Sequence, residues 1–355
     1  MKASVITLHS VCNYGTQLQA LATQEKLKEY FDEVEFVNYR RPNTYGIKLM
    51  KTFSGKNPLK MLAIMPTLIK WKSVFGNFQS KYLNISKDDY HKINSDIYFS
   101  GSDQVWNTGW NNGIIPEMYL EFVPDDIPKY SYSSSFGLKE LNSKDKVEVK
   151  KYLSRYSKIT VREDSAVEIL KDLGITNVER ILDPTLVMDK EFWRSIAPKN
   201  KIKGDYILIY NLNRSEEFDK YCEEFAKKTG LKLYRFCTRY DQIFRNGKSL
   251  LIPEILEFIT LIDDAKYVIT DSFHATAFSV NMNTIPVSIY PKEYSSRLSD
   301  FLKLVDMEEC HPANYNDFSI ITKNIKFDDA NKILDIERKK VDNYLRSIKD
   351  ENRLN

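Results

Sequence analysis

The chain reads as an α/β protein built from two Rossmann-like, doubly wound domains facing a cleft. Three observations predict it. Short β-branched or aromatic runs alternate with helical apolar spacing along most of the 355 residues. Small polar or glycine-bearing turns follow the strands. A polar break, Ala197-Pro-Lys-Asn-Lys-Ile-Lys-Gly204, separates two such alternations. Strands alternating with helices imply mostly parallel sheets.

In the first half, a strand is expected over 4–8, the turn Asn13-Tyr-Gly-Thr16, a helix over 17–30 and a strand over 34–39. The turn lacks GxGxxG, so it matches a dinucleotide fingerprint only loosely, yet its amides could hold a phosphate or sugar hydroxyl. Residues 41–90 are less regular and read as an insertion or lid. Within them 60–72 mixes long apolar side chains with lysines, which fits a membrane-surface helix or a capping helix kinked at Pro66; the capping helix is preferred. Strands follow over 96–99, 129–134, 158–161 and 178–182, with helices over 144–156 and 166–173.

The second alternation places strands over 206–210, 231–236, 267–270 and 285–290. Helices are expected over 216–229, 253–262, 275–281 and 297–305. The domains expected are 1–197 and 204–320, with a charged helix within 325–355 packing back on the first.

Composition narrows the function. There are 52 basic and 49 acidic residues, a formal charge of +3, and this near balance argues against nucleic acid as partner. Cys12, Cys222, Cys237 and Cys310 are scattered, so reduced thiols are expected and no metal site. No apolar run reaches spanning length, and the amino terminus is too polar for a secretory signal. A cytoplasmic protein is expected, with peripheral contact at the inner face of the membrane left open. Oligomeric state is not legible.

The most informative segment is Tyr267-Val-Ile-Thr-Asp-Ser-Phe-His274. It sets an imidazole where a buried strand ends and a helix starts, the place where ligands collect in open α/β sheets. The alternative there is a structural histidine capping its helix.

Six pieces together resemble the polysaccharide pyruvyl transferase family. They are Asn13-Tyr-Gly-Thr16, Ser100-Gly-Ser-Asp-Gln-Val-Trp-Asn107, Tyr132-Ser-Ser-Ser-Phe-Gly137, Val161-Arg-Glu163, Asp183-Pro184 and Thr270-Asp-Ser-Phe-His274. The resemblance implies a GT-B-like fold. It also implies transfer of a pyruvyl group from phosphoenolpyruvate to a sugar of a cell-surface polysaccharide precursor, lipid-linked or nucleotide-linked. The product is a ketal, phosphate is released, and no cofactor is needed. Family members carry a functional histidine where His274 stands and an arginine where Arg162 stands. Many have a further arginine two residues before the histidine; Ser272 occupies that place here, and Arg297 is the candidate replacement.

Phosphoenolpyruvate is a small polyanion that turns electrophilic when its methylene carbon is protonated. Histidine suits that proton transfer and arginine suits the anion. The catalytic candidates are His274 as acid and Asp103 as base, the latter competing with an Asx-turn or cap role. Donor candidates are Arg162, Arg297, Ser272, Asn13 and Gly15. Acceptor candidates are Ser102, Gln104, Trp106 and Asn107. Asp271 is expected to fix its turn or orient His274. The competing functions are a GT-B glycosyltransferase using a nucleotide sugar and a catalytically inactive glycan- or nucleotide-binding homologue.

Overall fold

A computed structural model describes the chain except for residues 42, 43, 45, 56, 214, 292–295, 354 and 355. It forms two compact units. The first comprises Met1–Arg41, Phe78–Val187 and Asp335–Asn355; the second comprises Pro42–Asn77 and Met188–Leu334. Residues 42–77, within the irregular 41–90 stretch, therefore belong to the second unit.

The first unit is built on β1 (Lys2–Ile6), β2 (Glu33–Phe36), β3 (Ile97–Ser100) and β4 (Lys129–Ser131), in the order β2-β1-β3-β4, all parallel. The strands β5 (Ile159–Val161) and β6 (Val178–Arg180) pair in parallel, and bridges Tyr130 to Lys158 and Ser134 to Val161 join β5 to β4. β1, β3 and β4 are almost wholly buried, as expected of parallel strands covered on both faces. Helix α1 (Tyr14–Lys28) starts three residues before the apolar spacing suggests, because Asn13 caps it: its Oδ1 accepts from Thr16 N at 3.2 Å. The carboxyl-terminal helix Asp328–Arg353 belongs to this unit from Asp335 onward. It is tied down there by Tyr344, whose hydroxyl donates to Ser131 O at 2.6 Å, and by Asp342, which accepts from Tyr30.

The second unit holds β7 (Tyr206–Tyr210), β8 (Lys232–Cys237), β9 (Lys248–Leu251), β10 (Tyr267–Thr270) and β11 (Ile285–Ser288). Their order is β11-β10-β7-β8-β9, again all parallel. The edge strand β9 went unanticipated because Lys-Ser-Leu-Leu is short, half exposed and without alternation. The second unit also takes up α2 (Gly46–Ser54) and most of α3 (Pro58–Tyr82), which runs through Pro66. α3 is fastened to the β8 end by Trp71 Nε1 donating to Thr238 O at 2.7 Å and by Tyr240 N donating to Thr67 Oγ1 at 3.1 Å.

Each sheet reverses direction beside its first strand, between β1 and β3 and between β7 and β10. The carboxyl ends at such switch points form the crevice where doubly wound sheets take ligands.

The loop after β1 carries a buried histidine. The His9 ring lies tilted 5.9 Å from that of Phe36, and its carbonyl accepts from Gln17 and Gln79. Burial, helped by the nearby Arg40 charge and opposed by a backbone hydrogen bond at Thr7, pushes its pKa from 6.5 to about 4. The unfolded chain then binds the extra proton between those values, so stability rises with pH across that window. Acidification from neutrality to about pH 4 should cost roughly 3 kcal/mol through this group. His9→Gln should flatten the slope of urea-melt stability between those pH values; an unchanged slope would show that His9 does not report on the loop.

Candidate functional site

In the first unit the switch-point loops are locked by one buried guanidinium. Arg162 follows directly on β5. Its Nη1 meets Asp183 Oδ2 at 2.5 Å, its Nη2 meets Asp103 Oδ1 at 3.2 Å, and its Nε lies 3.7 Å from Glu163 Oε2. All four side chains are almost completely buried. With one cation and three carboxylates ionised, the group carries a formal charge of −2. The three carboxylates raise the guanidinium pKa against the opposing cost of burial, the largest influence. Strand alternation would turn Arg162 and Glu163 apart, but β5 ends at Val161, so both side chains reach the same cluster.

Each carboxylate also fastens a loop. Asp103 Oδ2 accepts from Thr16 Oγ1 at 2.7 Å and Oδ1 accepts from Gln104 N, so the β3 loop is tied to the start of α1. Glu163 Oε1 accepts from Ser135 Oγ, Phe136 N and Gly137 N. Asp183 Oδ1 accepts from Thr185 N and Oγ1. Asp103 has φ 72°, a left-handed conformation that Asp tolerates better than most residues. The preceding Gly101, at φ 110°, could not carry a Cβ without overlapping Ser134 Oγ and Tyr132 O.

The structure puts Ser102, Trp106 and Asn107 inside the protein, each 0% exposed. Ser102 Oγ donates to Ser133 O at 2.7 Å, and Asn107 caps a short helix by accepting from Trp110 N. Trp106 stacks on Tyr119 at 5.7 Å, packs against Phe136 at 5.3 Å, and donates to Met118 O. Its ring faces are core surfaces here, whereas the sequence suggested a sugar platform. Gln104 is half-buried and accepts from Asn107 Nδ2 at 2.6 Å. Asn13 and Gly15 stand at the cap and first turn of α1, beside Asp103's partner Thr16.

In the second unit His274 sits in the first turn of the helix Phe273–Met282, directly after β10, and is 7% exposed. Ser272 is the cap of that helix, its Oγ accepting from Ala275 N at 3.4 Å. Asp271 fixes the neighbouring β7 loop, accepting from Leu212 N at 2.7 Å and from Asn213 N and Nδ2. Burial raises its pKa, and those same hydrogen bonds oppose the rise. Arg297, on the helix Ser296–Leu304, places its guanidinium 5.8 Å from the Phe273 ring, which itself lies 5.3 Å from the His274 ring. Of the Ser295-Ser-Arg297 pattern, Ser295 lies outside the described residues.

Sequence reading passed over Asp103 and Asp183 as partners of Arg162, and Arg235 altogether. Arg235 is buried in β8 and bridges Asn211 Oδ1 at 2.8 Å to Asp219 Oδ1 at 2.7 Å, bracing the β7 loop from its other side. An arginine inside an apolar strand was the available signal.

This pattern of strand-end loops has a counterpart in sequence. The profile of the polysaccharide pyruvyl transferase family matches residues 13–293, and the chain belongs to that family. No curated protein sequence matches the chain. Among solved structures, the UDP-GlcNAc 2-epimerase of Neisseria meningitidis bound to UDP-GlcNAc is similar at TM-score 0.50 and 11% identity, over 98% of this chain and 100% of that one. A putative UDP-N-acetylglucosamine 2-epimerase from Listeria monocytogenes gives 0.48 and 13%, over 94% of both chains. The heptosyltransferase WaaC of E. coli gives 0.38 and 10%, over 85% of this chain and 99% of that one. The fold is GT-B-like, two Rossmann-like units with all-parallel sheets.

Removing the Arg162 cation would strand three buried carboxylates. Arg162→Met should therefore lower stability by about 3–5 kcal/mol in urea melts, with Arg162→Lys recovering part of it. Wild-type stability in Arg162→Met would show that the carboxylates, not the guanidinium, hold these loops.

Proposed function

We propose that the protein transfers the pyruvyl group of phosphoenolpyruvate to a sugar carried on a lipid or a nucleotide, with release of phosphate. The observation that carries this is His274, an imidazole held in the first helical turn after β10, at the switch point of the second sheet. Arg297, a cation, packs on the adjoining Phe273.

The chemistry asks for those two groups. His274 delivers a proton to the methylene carbon, leaving C2 electrophilic. One sugar hydroxyl adds at C2 and loses its proton. The C2–O bond to phosphate breaks, and a second hydroxyl closes the ketal. Of the two hydroxyl protons, one replaces the proton spent on the methyl group and the other leaves with phosphate. The Arg297 guanidinium suits the donor's negative charges. The structure around Arg162 argues for a different role than donor binding. Its guanidinium is already engaged by Asp183 and Asp103, so Arg162 acts by positioning Asp103, the residue proposed to accept the hydroxyl proton. Gln104, half-buried in the same loop, is the acceptor-side residue left with an exposed part.

His274→Asn should leave a folded protein whose phosphate release from phosphoenolpyruvate and an acceptor glycan falls by ~10²–10⁴-fold. Undiminished release would remove His274 from the mechanism. Thermal shift separates the competing functions. Stabilisation by a nucleotide sugar and none by phosphoenolpyruvate would favour glycosyl transfer. Stabilisation without turnover would mark a binding homologue.

A further inference from the structure

The second unit carries an apolar surface that its own core leaves uncovered. In α3 the side chains of Ile64, Thr67, Trp71, Val74 and Phe75 are buried. On the other side of the same helix, Leu59 is 76% exposed, Leu62 70% and Ile69 65%, with Pro66 also exposed. The positions 59, 62, 66 and 69 follow a spacing of three, four and three, which lines them along one face. The two faces are separate, so this stripe is not a poorly packed part of the core.

Charge tells what the stripe fits. Residues 42–77 contain six lysines and no Asp or Glu, although the whole chain carries only +3. Lys48, Lys51, Lys60 and Lys72 are exposed on α2 and α3, while Lys70 is paired with Glu254 at 3.2 Å. A second copy of the chain would set this lysine-rich face against its like, so self-association here is opposed by repulsion. An anionic bilayer satisfies both features: aliphatic side chains enter the acyl boundary and lysines extend to the headgroups. Among the described residues no helix is long and apolar enough to cross a membrane, so the contact is a surface one.

We infer that α2 and α3 form a docking face for the surface of an anionic lipid bilayer. This is independent of the donor chemistry proposed above. Its role would be to hold the enzyme where a lipid-borne glycan is found.

The test is flotation of the full-length protein with vesicles of phosphatidylcholine alone or mixed with phosphatidylglycerol. Binding to the mixed vesicles, weakened by salt, is expected, and little binding to phosphatidylcholine alone. The double variant Leu62→Asp/Ile69→Asp, altered only at exposed positions, should keep wild-type urea stability and lose at least about tenfold in vesicle affinity. Lys60→Glu/Lys72→Glu should lose binding to the anionic vesicles chiefly at low salt. The inference is overturned if the wild type fails to float with anionic vesicles at low salt, or if the aspartate variant floats as well as the wild type. It is also overturned if sedimentation shows a wild-type dimer that the aspartate variant abolishes without any vesicle binding.

Discussion

A guanidinium surrounded by carboxylates organises the first unit. Arg162 faces Asp103, Glu163 and Asp183, and each of those acids closes a different loop. Through Asp103 it governs the β3 turn and the start of α1; through Glu163, the 135–137 turn; through Asp183, the entry to the segment after β6. Such a cluster is costly to bury. Its cost is offset in part because four of the six carboxylate oxygens also accept from a backbone amide or hydroxyl. The result is a set of rigid loop ends at a switch point, where a flexible turn would scatter its amides.

The second unit holds its loop with a buried aspartate on one side and a buried arginine on the other. Asp271 receives three hydrogen bonds from the β7 loop, and Arg235 braces that loop from β8. His274 thereby stands on a short, capped helix start whose neighbour strand end cannot drift. Asp271 thus serves geometry, and its burial leaves the imidazole as the group of this turn suited to proton transfer. Arg297 comes from a later helix and packs its guanidinium against Phe273, whose ring adjoins that of His274.

The segment 42–77 adds a surface to this scaffold. It belongs to the second unit although it interrupts the first in sequence. One face of α3 completes a core against the β8 end, and the opposite face stays apolar beside lysines.

By itself the sequence determined all the strands but β9, the parallel sheets and the two alternations. These are local properties: β-branched runs, helical spacing and small polar turns hardly depend on distant residues. The ordered strand-end motifs likewise carried the family. Only the tertiary structure decided what the polar residues in those motifs do. Trp106 became core because Tyr119 and Phe136 cover its faces, and Ser102 and Asn107 were taken by loop hydrogen bonds. Arg162 found Asp103 and Asp183, residues 59 and 21 positions away. Strand order sets such distances, because an ion pair needs proximity in space, which residue spacing along a chain does not encode.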